Sequence, residues 1–164
     1  MTPFQRDMIA MLPRLRSLAR ALTNGPADAD DLVQLTLERA LKRPDLWSPG
    51  TRLDSWMFRI LRNTWIDEIR SRRRRHMVLV DTDADHVGDR GAAVVEDRLM
   101  MSDIARAMDE LPEDQRLAVA LVLVDGLSYR EAAETLQVPQ GTLTSRLARG
   151  RAALIQKLDP ELLS

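Results

Sequence analysis

Apolar residues recur at helical spacing from Phe4 to Leu22, with Met8, Leu12, Leu15, Leu18, Ala19 and Leu22 on one face. This predicts a first helical stretch, broken by Asn24-Gly25-Pro26 as a C-cap glycine and a following proline would break it. A second helix is predicted through Asp28-Ala29-Asp30-Asp31, whose carboxylates suit a positive helix N-terminus. Leu32, Val33, Leu37, Ala40 and Leu41 form its apolar stripe, and Pro44 with Ser48-Pro49-Gly50 ends it. A third helix is predicted from about Leu53 to Ser71, offering Trp56, Phe58, Ile60, Leu61, Trp65, Ile66 and Ile69 for packing. It leads into the run Arg70-Ser71-Arg72-Arg73-Arg74-Arg75.

Residues 77–97 lose this periodicity, carry Asp81, Asp83, Asp85 and Asp89, and read as a flexible acidic linker. Helical spacing resumes at Leu99, with a restart at Leu111-Pro112-Glu113 and an apolar helix over Ala118–Val124 that stops at Asp125-Gly126. Ser128 and Glu131 have capping-box spacing, so a helix is expected to begin at Tyr129 and to end near Leu136. After Gln137, Pro139 suits the first position of a last helix. There Leu143, Leu147, Leu154 and Leu158 share one face, and Thr144, Ser145, Ala148 and Arg149 point the other way.

Composition supports a helical reading. The chain of 164 residues is 45% hydrophobic and 30% charged, with only 4% aromatics. It has no cysteine, which removes disulfides and thiolate metal sites and fits a reducing cytoplasm. No apolar run approaches the roughly 20 residues needed to span a bilayer, and Met1–Ala10 lacks a secretory pattern, so neither membrane insertion nor export is expected. The net charge of −1 hides a segregation: residues 59–75 are basic and residues 81–97 are acidic. His76 and His86 are isolated, and no nucleophile–base pair or metal cluster is evident. Catalysis, a metal and a cofactor are therefore not expected.

A short helix, a tight turn and a helix with a small-polar and arginine outer face make a helix-turn-helix pattern. Arginine can address guanine in a major groove, while Ser, Thr and backbone groups hold phosphates. The same spacing also describes a plain helical hairpin with a solvated face.

The residues add a resemblance to that spacing. Leu111-Pro112-Glu113-Asp114-Gln115-Arg116, Asp125-Gly126-Leu127-Ser128-Tyr129-Arg130-Glu131-Ala132-Ala133 and the stretch Val138 to Arg151 resemble region 4 of extracytoplasmic-function (ECF) RNA polymerase sigma factors. The resemblance implies that the last helix reads the promoter −35 element. Thr144, Ser145, Ala148 and Arg149 would face bases, with Arg146 and Arg151 towards phosphates. Gln137 stands where the family usually has a turn glycine, and Gly150 where it usually has alanine.

Asp28-Ala29-Asp30-Asp31-Leu32-Val33-Gln34 with Arg39-Ala40 resembles the part of sigma region 2 that docks on core polymerase. Asp31, Gln34, Glu38 and Arg39 are the implied contacts, and Leu35 departs from a frequent glutamate. The stretch Trp56 to Asp67 and the following arginines resemble the −10 recognition and melting part of region 2. Opening a duplex needs cations along its backbone and surfaces that catch an extruded base. Arg59, Arg62, Arg70, Arg72 and Arg73 are the implied cations, with Asn63 and Asp67 near the flipped base. Trp56 and Trp65 read either as core residues or as stacking platforms, and Trp65 is kept in the −10 set.

The expectation is an all-α chain of two small helical domains: region 2 over 1–76, a linker over 77–97 and region 4 over 98–164. It would be a cytoplasmic, non-catalytic specificity subunit that binds core RNA polymerase, recognises −35 and −10 promoter DNA and helps open it, held in check by an anti-sigma factor. The rival is an operator-binding transcription factor using the C-terminal motif alone; a recombinase is the enzymatic alternative.

Overall fold

A computed structural model of the chain describes residues 1–78 and 96–159; most of the expected acidic linker, His86 included, lies outside them. Every regular element among the described residues is helical. Helix α1 (Pro3–Ala10) begins with a capping box in which Thr2 Oγ1 accepts from the Gln5 N–H and Gln5 Oε1 accepts from the Thr2 N–H. Helix α2 (Leu12–Leu22) follows after Met11 alone. The single helix expected over Phe4–Leu22 is thus two. Pro13 is the physical reason, because it has no N–H and its ring collides with the carbonyl four residues back, although it is tolerated in a first turn.

Helix α3 (Pro26–Lys42) buries Ala29, Leu32, Val33, Thr36 and Ala40. Leu41, expected in that stripe, is 51% exposed, whereas Thr36 is fully buried and its hydroxyl donates to the Leu32 carbonyl. A short 3₁₀ turn (Pro44–Leu46) leads to helix α4 (Leu53–Val78). It does not stop at Ser71, since the arginine run is made of good helix formers and continues it. Leu15, Leu18 and Leu22 of α2 pack with Met57, Phe58 and Leu61 of α4 and the buried stripe of α3.

The second unit comprises α5 (Glu96–Asp109), α6 (Glu113–Val119), α7 (Tyr129–Leu136) and α8 (Gln140–Leu158). Between α6 and α7, Ala120–Val124 winds as a π-helix, with the Asp125 N–H donating to the Ala120 carbonyl. Gly126, at φ +85°, then turns the chain where a side chain would be strained. Gly150 is needed for another reason: a Cβ there would lie 2.8 Å from Val119 Cγ2 and 3.3 Å from the Gln115 carbonyl. The missing methyl is what lets α6 and α8 cross closely.

Candidate nucleic-acid interface

Helix α7 starts as its sequence requires, with Ser128 Oγ accepting from the Glu131 N–H. Its end is a Schellman turn, in which the Val138 N–H reaches the Ala133 carbonyl and the Gln137 N–H reaches that of Glu134. Gln137 occupies the left-handed position at φ 57°, ψ 45°, so the turn keeps its geometry without glycine. Pro139 stands one residue ahead of α8, in extended conformation, rather than in its first turn.

Leu143, Leu147 and Gly150 bury one face of α8, and Thr144, Ser145, Ala148, Arg149 and Arg151 are exposed on the rest. The Thr144 hydroxyl donates to the Gln140 carbonyl within the helix. Arg146 differs: it is half-buried and turns towards Asp114 of α6, 3.5 Å away, rather than outward to a phosphate.

On α3, Asp31, Gln34 and Glu38 are exposed together, with Gln34 3.4 Å from Glu38. Arg39, assigned to the same contact, reaches across to α4, where it meets Asp67 at 3.0 Å and the Thr64 hydroxyl at 3.2 Å. Two residues assigned to different sites, Arg39 and Asp67, therefore form one ion pair.

The α4 residues divide. Asn63, Asp67 and Arg70 are exposed, whereas Trp65 is 5% exposed and lies beneath the Arg116 guanidinium. In this arrangement Trp65 is a packing residue and presents no face to a base, because burying an indole is favourable and the α4 stripe requires it there. Trp56 is half-buried against Phe4. Arg62 and Arg59 turn to α7: Arg62 Nη1 donates to the Leu136 carbonyl at 2.9 Å, and Arg59 Nη2 to that of Glu134 at 3.1 Å. Burial, and then the charge of Arg59, push the Arg62 guanidinium below its ordinary pKa. Arg62 also donates to Asn63 Oδ1. Arg72 meets Asp28 at 3.4 Å, and Arg73 pairs with Glu113 of α6.

Trp47 Nε1 and Arg59 Nε are buried without a hydrogen-bond partner. Both line a cleft with Leu46, Ser48, Trp56 and Glu134, so two unsatisfied donors share one concavity suited to an acceptor group. Sequence reasoning passed over Trp47, and also over Arg14, Arg52 and Arg116. Arg52 and Arg116 also have near partners in Asp54 and Asp109, but the contacts of these three arginines with Asp125, Glu131 and the Ala21 carbonyl join positions far apart along the chain.

Residues 8–75 match the Sigma-70 region 2 family and residues 101–154 match Sigma-70 region 4. The chain is 38% identical over 149 residues to the ECF RNA polymerase sigma factor EcfG of Rhodopseudomonas palustris, covering 90% of this chain and 81% of that protein. It is similar in structure to the sigma factor RpoE of Bartonella quintana, solved with the anti-sigma factor NepR, at a TM-score of 0.80 and 30% identity over 96% of this chain and 98% of that one. CnrH, solved with the cytosolic domain of CnrY, has a TM-score of 0.72 at 25% identity, covering 96% of this chain and 88% of that one. A helical unit with an exposed cationic helix followed by a helix-turn-helix unit defines the class of sigma factor. The chain belongs to the ECF RNA polymerase sigma factors.

Proposed function

We propose that this chain binds core RNA polymerase and directs it to promoters with a −35 element read by α8 and a −10 element opened by α4. The observation that carries this reading is the outer face of α8, where Thr144, Ser145, Ala148, Arg149 and Arg151 stand exposed on a helix seated through Leu143, Leu147 and Gly150. Small residues allow close approach to base edges, and Arg149 supplies the bidentate donor suited to guanine. Arg146 would join them by releasing Asp114, a weak, half-exposed pairing.

In region 2, taken as residues 1–76, Asp31, Gln34 and Glu38 are the proposed polymerase contacts, with Arg39 holding α3 against α4. Arg59, Arg62, Arg70, Arg72 and Arg73 would neutralise strand phosphates, with Asn63 and Asp67 beside an extruded base. The Trp47–Arg59 cleft offers unsatisfied donors on the same side. Region 4 is taken as residues 98–164. The chain would act in the cytoplasm, without catalysis of its own, and an anti-sigma factor would control it, as the partners of RpoE and CnrH suggest.

Transcription in vitro on fragmented genomic DNA, using core polymerase with and without the protein, tests this. New 5′ ends sharing two upstream motifs at fixed spacing are expected. An active core with no new starts, together with specific DNA binding by the protein alone, would favour an operator-binding factor instead. Purification of the protein from cells should recover an inhibitor under some growth condition; finding none under any would count against such control.

A further inference from the structure

Trp47, in the loop between α3 and α4, is packed as a hydrocarbon and keeps an unused donor. Its ring meets Phe4 of α1 at 5.4 Å between centroids, and Phe4 also reaches Trp56 of α4 at 6.0 Å. Helix α1 thus fixes the indole through carbon contacts. The Trp47 Nε1 is buried without a hydrogen-bond partner, as is Arg59 Nε, and both residues line one cleft of about 350 Å³. Phenylalanine at this position would keep an aromatic contact with Phe4 and strand no donor. The indole therefore costs stability and supplies an N–H.

The remaining charges of the cleft are engaged. Arg59 Nη2 donates to the Glu134 carbonyl at 3.1 Å, whereas Nε is left over. Arg52 on the same lining is held by Asp54 and Glu131. Glu134, the one acidic residue of that lining, pairs with Arg130 at 3.3 Å. Two unused donors, one of them on a permanent cation, therefore await an acceptor that carries negative charge.

We propose that the Trp47–Arg59 cleft seats one phosphate of the −10 strand, with Trp47 as a DNA-binding residue. The inference rests on the sigma-factor reading above. A neighbouring concavity favours a strand phosphate over a free anion. Leu46 and Trp56 line both hollows, and the second one holds Asn63, proposed beside the extruded base. Arg59 and Asn63 stand about one turn, or about 6 Å, apart on α4 and share a face of that helix. A nucleotide whose base lies by Asn63 brings its backbone to the shared wall, and phosphate is the charged acceptor of that backbone. Phe4 is then a positioning residue, since it touches the indole and not the strand.

A cycle between residue and phosphate tests this with the full chain, core polymerase and a promoter found by the transcription assay. Each phosphate of the −10 strand is replaced in turn by a neutral methylphosphonate, and open-complex formation is measured for wild type and Trp47→Phe. At one phosphate the wild-type holoenzyme should lose about tenfold. Trp47→Phe, weaker by about tenfold on unmodified DNA, should lose less than about threefold more there. Arg59→Lys keeps the charge, removes Nε and should couple to the same phosphate. Losses that multiply at every phosphate overturn the proposal, because a Trp47 that only supports the fold weakens all contacts alike. Coupling of the two residues to different phosphates overturns it too, as does a Trp47→Phe holoenzyme that opens promoters like wild type. Suppose instead that inorganic phosphate raises the melting temperature of the free chain only when Trp47 is present, and no DNA phosphate couples. The cleft then belongs to a free anion and the proposal falls. If the wild-type chain starts no transcripts with an active core, the sigma-factor reading itself falls; if it does and no phosphate couples to Trp47, this inference alone falls.

Discussion

Arg14 grips Asp125 with two bonds, Nη2 to Oδ2 at 2.8 Å and Nε to Oδ1 at 3.2 Å, joining residues 111 positions apart. The Asp125 side chain is 2% exposed and that of Arg14 is 41% exposed. Arg14 also reaches Asp54 at 3.3 Å and lies 5.0 Å from the Phe58 ring centre. Its hydrogen bond to Asp125 comes first among the causes that raise its pKa, against the cost of burial. Arg14→Ala should therefore leave a buried carboxylate without its main partner. A loss of about 1–3 kcal/mol is expected in urea unfolding, below the full buried-pair value because Arg14 itself is half in water.

Gly150→Ala tests the close crossing of α6 and α8. Alanine is the better helix former by up to about 1 kcal/mol. Its methyl, however, meets Val119 and the Gln115 carbonyl in a packed core, where overpacking costs about 1–3 kcal/mol. A net loss is expected in thermal unfolding, and Val119→Ala in the same chain should recover part of it. A gain in stability from Gly150→Ala alone would refute the crossing.

Gln137→Gly should act in the other direction. A left-handed backbone costs a residue with a side chain about 1–2 kcal/mol, and glycine escapes most of that. A rise in melting temperature with unchanged promoter choice is the expected outcome, since Gln137 lies at the turn ahead of α8 and apart from its proposed DNA face.

Arg149→Ala should weaken use of the −35 element by about 1–3 kcal/mol while leaving affinity for core polymerase intact. Comparing transcription from promoters with and without that element, alongside a polymerase binding assay, checks it. Equal loss of both activities would reject the assignment of Arg149.

Acid should loosen the join between the regions. Hydrogen bonds from Arg52 and then Ser128 hold the Glu131 carboxyl below its ordinary range. Burial pushes Asp54 up, but Arg52, the Ser55 N–H and the nearby positive charges bring it below its usual value. Carboxyls lowered in the joined state bind fewer protons there, so they support it above their unfolded values, near pH 4, and that support fades as pH falls through the lowered ones. Energy transfer between dyes at Ser17→Cys on α2 and Gln156→Cys on α8, both exposed, should stay flat from pH 7 to about 5 and drop below about 4. Glu131→Gln should make that drop shallower.

Much of this protein was legible along the chain. Helix α7 was marked at its start by Ser128 and at its end by Gln137-Val138-Pro139, because capping and turn chemistry act over three or four residues. The outer face of α8 followed from spacing, since a helix repeats every 3.6 residues wherever it stands, whereas the candidate face of α3 came from the resemblance. Local patterning also misled in definite places. It ran α1 and α2 together across Pro13, ended α4 near Ser71 within its arginine run, and placed Leu41 among buried residues.

The sequence by itself determined the helices, the helix-turn-helix and the candidate DNA and polymerase faces, all of them set by short-range periodicity and by recognisable residues in order. Only the tertiary structure decided which arginines are engaged: Arg62 on Leu136, Arg116 on Ala21, Arg14 on Asp125 and Arg39 on Asp67. It also decided that Trp65 lies beneath Arg116 instead of facing a base. The physical reason is one of range. A guanidinium is long and finds its partner through space, among carbonyls and carboxylates that folding brings from 28 to 111 residues away.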